Sequence, residues 1–494
     1  MSISYSSTRG GETGLTASEA ILQGLAKDGG LFVPDRIPAL DHTLAELAGM
    51  DYRELAYQVM KLFFDDFTEE ELRGCIEKAY DEKFDTPEIA PLAYAEGAYY
   101  LELFHGATIA FKDMALSILP HLMTTSAKKN AISEEIVILT ATSGDTGKAA
   151  LAGFADVPGT RIMVFYPKGG VSRIQELQMV TQKGANTRVV AIHGNFDDAQ
   201  TGVKKLFADR ELERSMKERG FRFSSANSIN IGRLVPQICY YVYAYATLLK
   251  EERIGEGDPV NIVVPTGNFG NILAAFYAKQ MGLPVGKLIC ASNTNKVLFD
   301  FFQSGTYDRN REFVLTSSPS MDILISSNLE RLIYRIGGNS PERCGELMAL
   351  LSGDGKYKIT EKEREGLSDF YGNFADEEET FAEIRRIYES CGYVIDTHTA
   401  VASAVYQKYL ADTGDETPAI IASTASPFKF TRNVMKAMGE DVSAEDDFAL
   451  VDRLSHLSGV AVPRAVEEIR NATVLHDTEC DVDGMKAVVE AFLV

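Results

Sequence analysis

Ile136-Val-Ile-Leu-Thr140, running directly into Ala141-Thr-Ser-Gly-Asp-Thr-Gly-Lys-Ala149, is the stretch whose reading decides the fold. Its first five residues form an unbroken β-branched and apolar run, as expected of a strand covered on both faces. A small polar loop then leads into a helical pattern. Two similar runs follow, Ile162-Met-Val-Phe-Tyr166 and Val189-Val-Ala-Ile-His193, so the three starts lie 26 and 27 residues apart. That interval accommodates one helix between successive strands and predicts a parallel sheet flanked by helices.

Working outward, the stretch from Ile231 to Lys250 carries Leu234, Ile238, Tyr241 and Val242 at helical spacing, and the polar segment from Glu251 to Pro259 breaks it. A second α/β pattern then begins with Asn261-Ile-Val-Val-Pro265 and Lys287-Leu-Ile-Cys-Ala291, and Ala419-Ile-Ile-Ala-Ser423 reads as a late strand of the same sheet. The first 90 or so residues mix short amphipathic helices with turns, Asp51 to Phe64 being the clearest helix. The predicted architecture is α/β: two open, mostly parallel-sheet domains with an N-terminal accessory helical segment, divided as 1–90, 91–255 and 256–494. The acidic runs Glu69-Glu-Glu71 and Asp376-Glu-Glu-Glu379 read as helix starts favoured by the helix dipole.

Composition narrows the function. The chain has 494 residues, 45% apolar and 24% charged, which excludes a disordered, collagenous or coiled-coil protein. Lys and Arg number 49 against 71 Asp and Glu, and the formal charge of −22 repels nucleic acid and anionic membrane. Any anionic substrate therefore needs a local basic pocket. Cys75, Cys239, Cys290, Cys344, Cys391 and Cys480 lie far apart with no C-x-x-C pair, so no metal site or disulfide framework is expected. The residues after Met1 lack a basic start and apolar core, and no apolar run reaches the roughly 18 residues of a membrane span. The expectation is a cytoplasmic protein.

Three segments carry chemistry. In the first loop Gly144 and Gly147 let backbone amides approach a ligand, while Ser143 and Thr146 add hydroxyls at a positively polarised helix start. The stretch reads either as an anion-holding loop or as a hydrophilic turn with a good N-cap. It is not a Walker A loop, because Thr142 stands where that loop needs Gly and Ala149 where Ser or Thr would bind magnesium. The second, Thr266-Gly-Asn-Phe-Gly-Asn271, runs straight from a strand into the pattern Ile272-Leu-Ala-Ala-Phe-Tyr-Ala-Lys and could cradle a phosphate with amides alone. Two such loops, one heading each sheet, fit the rule that ligands bind outside the C-terminal strand ends. The third places Lys112 between Phe111 and Asp113 in the mostly apolar run from Leu103 to Ala115. A lysine removed from water favours its neutral amine, which can form an imine with an aldehyde; the alternative is a surface lysine paired with Asp113.

His105-Gly-Ala-Thr-Ile-Ala-Phe-Lys-Asp113, Thr142-Ser-Gly-Asp-Thr-Gly147 and Pro265-Thr-Gly-Asn-Phe-Gly-Asn271 together resemble the signature segments of the threonine synthases. The resemblance extends to Ser7-Thr-Arg-Gly10 and to His398-Thr-Ala400, so it spans nearly the whole chain, and the long N-terminal region resembles the bacterial and fungal branch. It implies a fold type II pyridoxal 5'-phosphate (PLP) lyase, tryptophan synthase β-like in architecture, converting O-phospho-L-homoserine and water into L-threonine and phosphate. Lys112 would then form the cofactor imine and shuttle protons. Gly267, Asn268, Phe269, Gly270 and Asn271 would hold the cofactor phosphate, and Thr399 the pyridine nitrogen, unless Thr399 is an ordinary helix cap. Phe111 would touch the ring, unless it simply packs in the core.

By the same resemblance Ser143, Gly144, Asp145 and Thr146 would meet the substrate carboxylate, with Asp145 turned toward the cofactor, the substrate amine or its own loop. The window from Lys168 to Arg188 holds four basic residues against Glu176 alone, which makes Lys168 and Ser172, with Arg233, candidates for the substrate phosphate. Ala107 stands where the family commonly has Pro, and Thr397 where it commonly reads Asp-Pro-His-Thr; both changes affect loop stiffness and leave the reactive groups in place. Rival readings are another fold type II lyase, such as a threonine or serine dehydratase, and a non-catalytic metabolite-binding protein. A monomer or small homo-oligomer is expected, without nucleic-acid or membrane partners.

Overall fold

The computed structural model describes residues 2–142, 144–443 and 446–493. Near the N-terminus β1 (Tyr5–Ser7) and β2 (Phe32–Pro34) pair antiparallel, and β3 (Leu92–Ala95) and β4 (Ala98–Glu102) form a hairpin. There follow β5 (Glu135–Ala141), β6 (Thr160–Pro167), β7 (Thr187–Ile192) and β8 (Phe221–Ser224), then β9 (Val260–Pro265) and β10 (Val285–Ser292). A short antiparallel pair, β11 (Thr306–Asp308) and β12 (Lys356–Lys358), precedes β13 (Phe370–Phe374), β14 (Ala419–Ser423) and β15 (Thr478–Cys480).

Two sheets organise the molecule. One has the order β15-β7-β6-β5-β8 and is parallel throughout. The other has the order β13-β10-β9-β14-β4-β3 and is parallel at every pairing except the β3/β4 hairpin. Ile136–Leu139 and Val260–Val264 are buried on both faces, as continuous apolar strands must be when helices cover the sheet from either side. The late strand β14 lies between β9 and β4, in the sheet predicted for it.

The sheets do not follow the expected division at residues 90 and 255. β3 and β4 join the second sheet through the parallel register of Leu101 on Ala422, and the C-terminal β15 edges the first through β7. A strand of three to five residues leaves too little periodic signal to show which sheet it will join. The helix Ile231–Lys250 has the predicted bounds and packs against the helices Tyr52–Met60 and Gly270–Gln280, so it ties the N-terminal segment to the second sheet. Both acidic runs are helix starts, capped by Thr68 and Asp376. Among the described residues no helix is long and apolar enough to cross a membrane.

Candidate active site

β9, β14 and β4 are neighbours, so their C-terminal ends deliver three segments to one place: the loop after Pro265, the turn after Ser423 and the loop ending at Lys112. The Lys112 loop is tightly held. Phe111 N–H donates to the Thr424 carbonyl at 2.8 Å, and Ser426 N–H donates to that of Ile109 at 3.0 Å. Ile109 has φ +52°, a left-handed conformation strained for a β-branched residue. Asp113 does not pair with Lys112. It takes the Thr108 N–H at 2.7 Å and the Thr108 hydroxyl at 2.6 Å, and a Cβ on Gly106 would stand 2.6 Å from its own Cβ.

Lys112 is 9% exposed, and its Nζ lies 5.3 Å from the centroid of the Phe111 ring. Nζ donates to Ser320 Oγ at 3.0 Å and stands 3.5 Å from Asp145 Oδ2. Burial lowers its basicity; Asp145 opposes this, while Lys429 and Arg233 reinforce it. Asp145 also receives Lys429 Nζ at 3.1 Å, Gln175 Nε2 at 2.9 Å and Ser320 Oγ at 3.1 Å. Burial disfavours its charge, yet Lys429, Lys112 and Gln175 hold the carboxyl well below the usual range. The buried acid is accommodated by partners on both oxygens, Lys429 and Gln175 on Oδ1 and Ser320 with Lys112 on Oδ2.

Arg233, in the first turn of its helix, is 3% exposed and has no carboxylate partner among the described residues. Its Nη1 donates to the Ala226 carbonyl at 3.0 Å, its Nε is buried without a partner, and burial pushes the guanidinium down to about 10. Lys112 and Lys429 thus share one ionised carboxylate while Arg233, within electrostatic reach of Lys112, has none among the described residues, an arrangement that attracts an anion.

The two loops are built differently. After β5, the Thr142 hydroxyl accepts the N–H groups of Gly144 at 3.0 Å and Gly147 at 2.9 Å. The N–H groups of Asp145 and Thr146 have no acceptor among the described residues, and the Thr146 side chain is half-buried. Gly144 sits at φ +135°, and a Cβ there would fall 2.4 Å from Gln175 Nε2. Ser143 lies outside the described residues.

After β9, the backbone N–H groups of Gly267, Asn268, Phe269, Gly270 and Asn271 all lack an acceptor among the described residues, and Asn271 Nδ2 is buried without a partner. Phe269 adopts φ +65°, and its ring stacks in the core on Phe302 and Phe370, so only its backbone serves the loop. Ser326 Oγ donates to the Gly267 carbonyl at 2.6 Å, and Asn328 donates twice to that of Asn268 at 3.0 Å. A Cβ on Gly267 would meet the Ser320 carbonyl at 2.4 Å, so the loop abuts the turn that contacts Lys112. A row of free amides, a buried unpartnered amide and a desolvated amine fit an aldehyde bearing a phosphate.

Other sequence candidates lie further out. Ser172 caps its helix by accepting Gln175 N–H, and so acts on Asp145 through Gln175. Lys168 Nζ is paired with Glu479 at 2.6 Å and half-exposed, outside the buried cluster. Thr399 is fully buried; its hydroxyl donates to Asp396, the N-cap of its helix, and lies 3.2 Å from Ser423 Oγ. The next residue along the strand end, Thr424, is 5% exposed with a hydroxyl that makes no hydrogen bond to a described residue. Lys429, Ser320 and Thr424 were not singled out from sequence, although Ser317-Ser-Pro-Ser-Met-Asp322 and Ser423-Thr-Ala-Ser-Pro427 are small-residue, Pro-containing runs typical of tight turns at a strand end.

Residues 93–425 match the family described as pyridoxal-phosphate dependent enzyme; residues 4–80 match threonine synthase N terminus and 399–477 threonine synthase, C-terminal. The chain belongs to the threonine synthase family. Threonine synthase of Eremothecium gossypii is 37% identical to it, over 100% of this chain and 99% of that protein. Threonine synthase-like 1 of Pongo abelii is 40% identical over 87% of this chain, which spans 59% of that longer protein. PLP-bound threonine synthase from Brucella melitensis has 34% identity and a TM-score of 0.87 over 100% of this chain and 99% of that one. The fold is therefore the fold type II arrangement of the PLP-dependent threonine synthases.

Proposed function

We propose that this chain converts O-phospho-L-homoserine and water into L-threonine and inorganic phosphate with PLP as cofactor, a carbon-oxygen lyase reaction on a phosphate ester. The observation that carries the reading is the buried cluster in which Lys112 and Lys429 share Asp145 while Arg233, close enough to influence Lys112, has no carboxylate partner among the described residues. The substrate brings both a carboxylate and a phosphate, and the pocket has cationic charge in excess for them.

When bound, the cofactor supplies an electron sink for charge developing at the substrate carbons. Lys112 would anchor it, and the amides from Gly267 to Asn271 with Asn271 Nδ2 would hold its phosphate. A hydroxyl at the corner of Thr399, Ser423 and Thr424 would face the ring nitrogen; Thr399 is positioned there through Ser423, and Thr424 has the uncommitted group. The free N–H groups of Asp145 and Thr146, with Gly144 and Ser143, would receive the substrate carboxylate. Arg233 would hold the phosphate, with Ser172 setting Gln175 and Asp145 in place. Lys112 Nζ, once released, stands where it can take and return protons, with Ser320 Oγ beside it to hold the amine between transfers.

An absorbance spectrum of the protein with PLP, before and after adding O-phosphohomoserine, with phosphate release followed in the same cuvette, tests this. A band between roughly 400 and 430 nm that changes with substrate while phosphate appears is expected. A band without phosphate release would favour a dehydratase-type lyase, and no band would leave a metabolite-binding protein. A cytoplasmic monomer or small homo-oligomer, acting on a small molecule, completes the proposal.

A further inference from the structure

Two buried lysines compete for Asp145. Lys429 belongs to the short turn Pro427–Phe430; its side chain is wholly enclosed, and Nζ has two acceptors, the Thr108 carbonyl at 2.9 Å and Asp145 Oδ1 at 3.1 Å. Gln175 binds the same Oδ1 at 2.9 Å. Lys112 approaches the other oxygen, Oδ2, at 3.5 Å, and Ser320 Oγ touches both groups. The carboxylate is therefore bound more closely by the lysine that does no chemistry.

We propose that Lys429 is a positioning residue that keeps Lys112 uncharged and nucleophilic, by drawing off Asp145 and by placing a second positive charge beside Lys112. This rests on the reading of Lys112 as the cofactor lysine. The remaining groups around Lys112 are accounted for. Asp113 is bound by Thr108, and Arg233 adds a further positive charge. His398 directs Nδ1 at Asp396 and accepts the Ser320 N–H on Nε2. Lys148, one turn along from Asp145, donates to Gln182. Without Lys429, Lys112 would be the one lysine left on Asp145, and a buried carboxylate would hold that amine as ammonium. An ammonium must lose a proton to solvent before its nitrogen can attack an aldehyde carbon; the neutral amine then gives the C=N bond and one water.

The test is the rate at which the 400–430 nm band forms when PLP is added to the full-length chain freed of cofactor, measured from pH 6 to 10. K429M moves the midpoint of this profile upward by about 1–2 pH units, hence about tenfold or more slower imine formation on the low-pH limb, with rates converging at high pH. K429R, which keeps the charge, stays near the parent midpoint. D145N moves it downward, because nothing then stabilises the ammonium. A folded K429M with an unchanged midpoint overturns the proposal, and if K429M does not fold, a D145N midpoint that stays or rises does so. K112A separates the two claims: a band persisting there contradicts the assignment of Lys112 itself, whatever Lys429 does.

Discussion

The loops after β5 and β9 share a local grammar, strand, glycines, small polar residues and helix start, yet they present opposite surfaces. The β9 loop contains no ionisable group, keeps five consecutive amides without an acceptor among the described residues, and is tied from outside by Ser326 and Asn328. The β5 loop closes on itself through Thr142, gives up the amides of Gly144 and Gly147, and places Asp145 against two lysines. The first is fixed by neutral neighbours and suits the single phosphate proposed for it. The second is coupled to charged neighbours, as suits the substrate-binding role proposed for it. Helix-start chemistry supplies the anion preference in both; what differs is whether the surrounding residues fix the loop or couple it to titrating side chains.

K112A should break the arrangement at its centre, eliminating the 400–430 nm band and reducing turnover by about a thousandfold or more while the far-UV spectrum stays native. R233M should act mainly on the substrate side: a kcat/KM for O-phosphohomoserine lower by about 10–100-fold at saturating PLP, as expected for losing a charge-assisted contact, with a small upward shift of the imine-formation midpoint because one positive charge near Lys112 is lost. Loss of PLP affinity in R233M would place that guanidinium at the cofactor instead.

These residues were legible in the sequence to different degrees. The strands, the helix from Ile231 to Lys250 and both glycine loops follow from period and composition, and Lys112 from its apolar context. Lys429, Ser320 and Thr424 come from turns hundreds of residues away in sequence, and nothing local to them says that they face Lys112. Lys168 shows the converse. Its window is basic in sequence, but Glu479, 311 residues later, neutralises it at the surface. Which charge remains unpaired is a property of tertiary contacts, and a window count cannot see it.

Smaller effects sharpen the contrast. N328A removes the side-chain donor on the Asn268 carbonyl, leaving the backbone N–H of residue 328, and should weaken PLP binding several-fold, read by titration of the band, with KM unchanged. T399V should cost on the order of 1–2 kcal/mol of stability in urea unfolding, because Asp396 loses a buried donor, whereas T424V should leave stability alone and alter the band. The smallest effect concerns His105. Burial opposes its charge, but Asp85 and Glu102 raise it to about 9. Since this folded-state value lies above the ordinary 6.5, the pairing contributes fully below pH 6.5 and is lost as pH rises through 9. Half-exposed Asp85 screens the gain to on the order of 1 kcal/mol, and H105Q should flatten that part of the stability profile.

One paired titration tests the division of labour between the loops: PLP affinity from the imine band and KM from phosphate release, measured on N271A and T142V beside the parent. N271A should lose PLP affinity with little change in KM at saturating cofactor, and T142V should raise KM with PLP affinity intact. Both parameters shifting together in both variants would contradict that division, because the two loops would then form one undivided site.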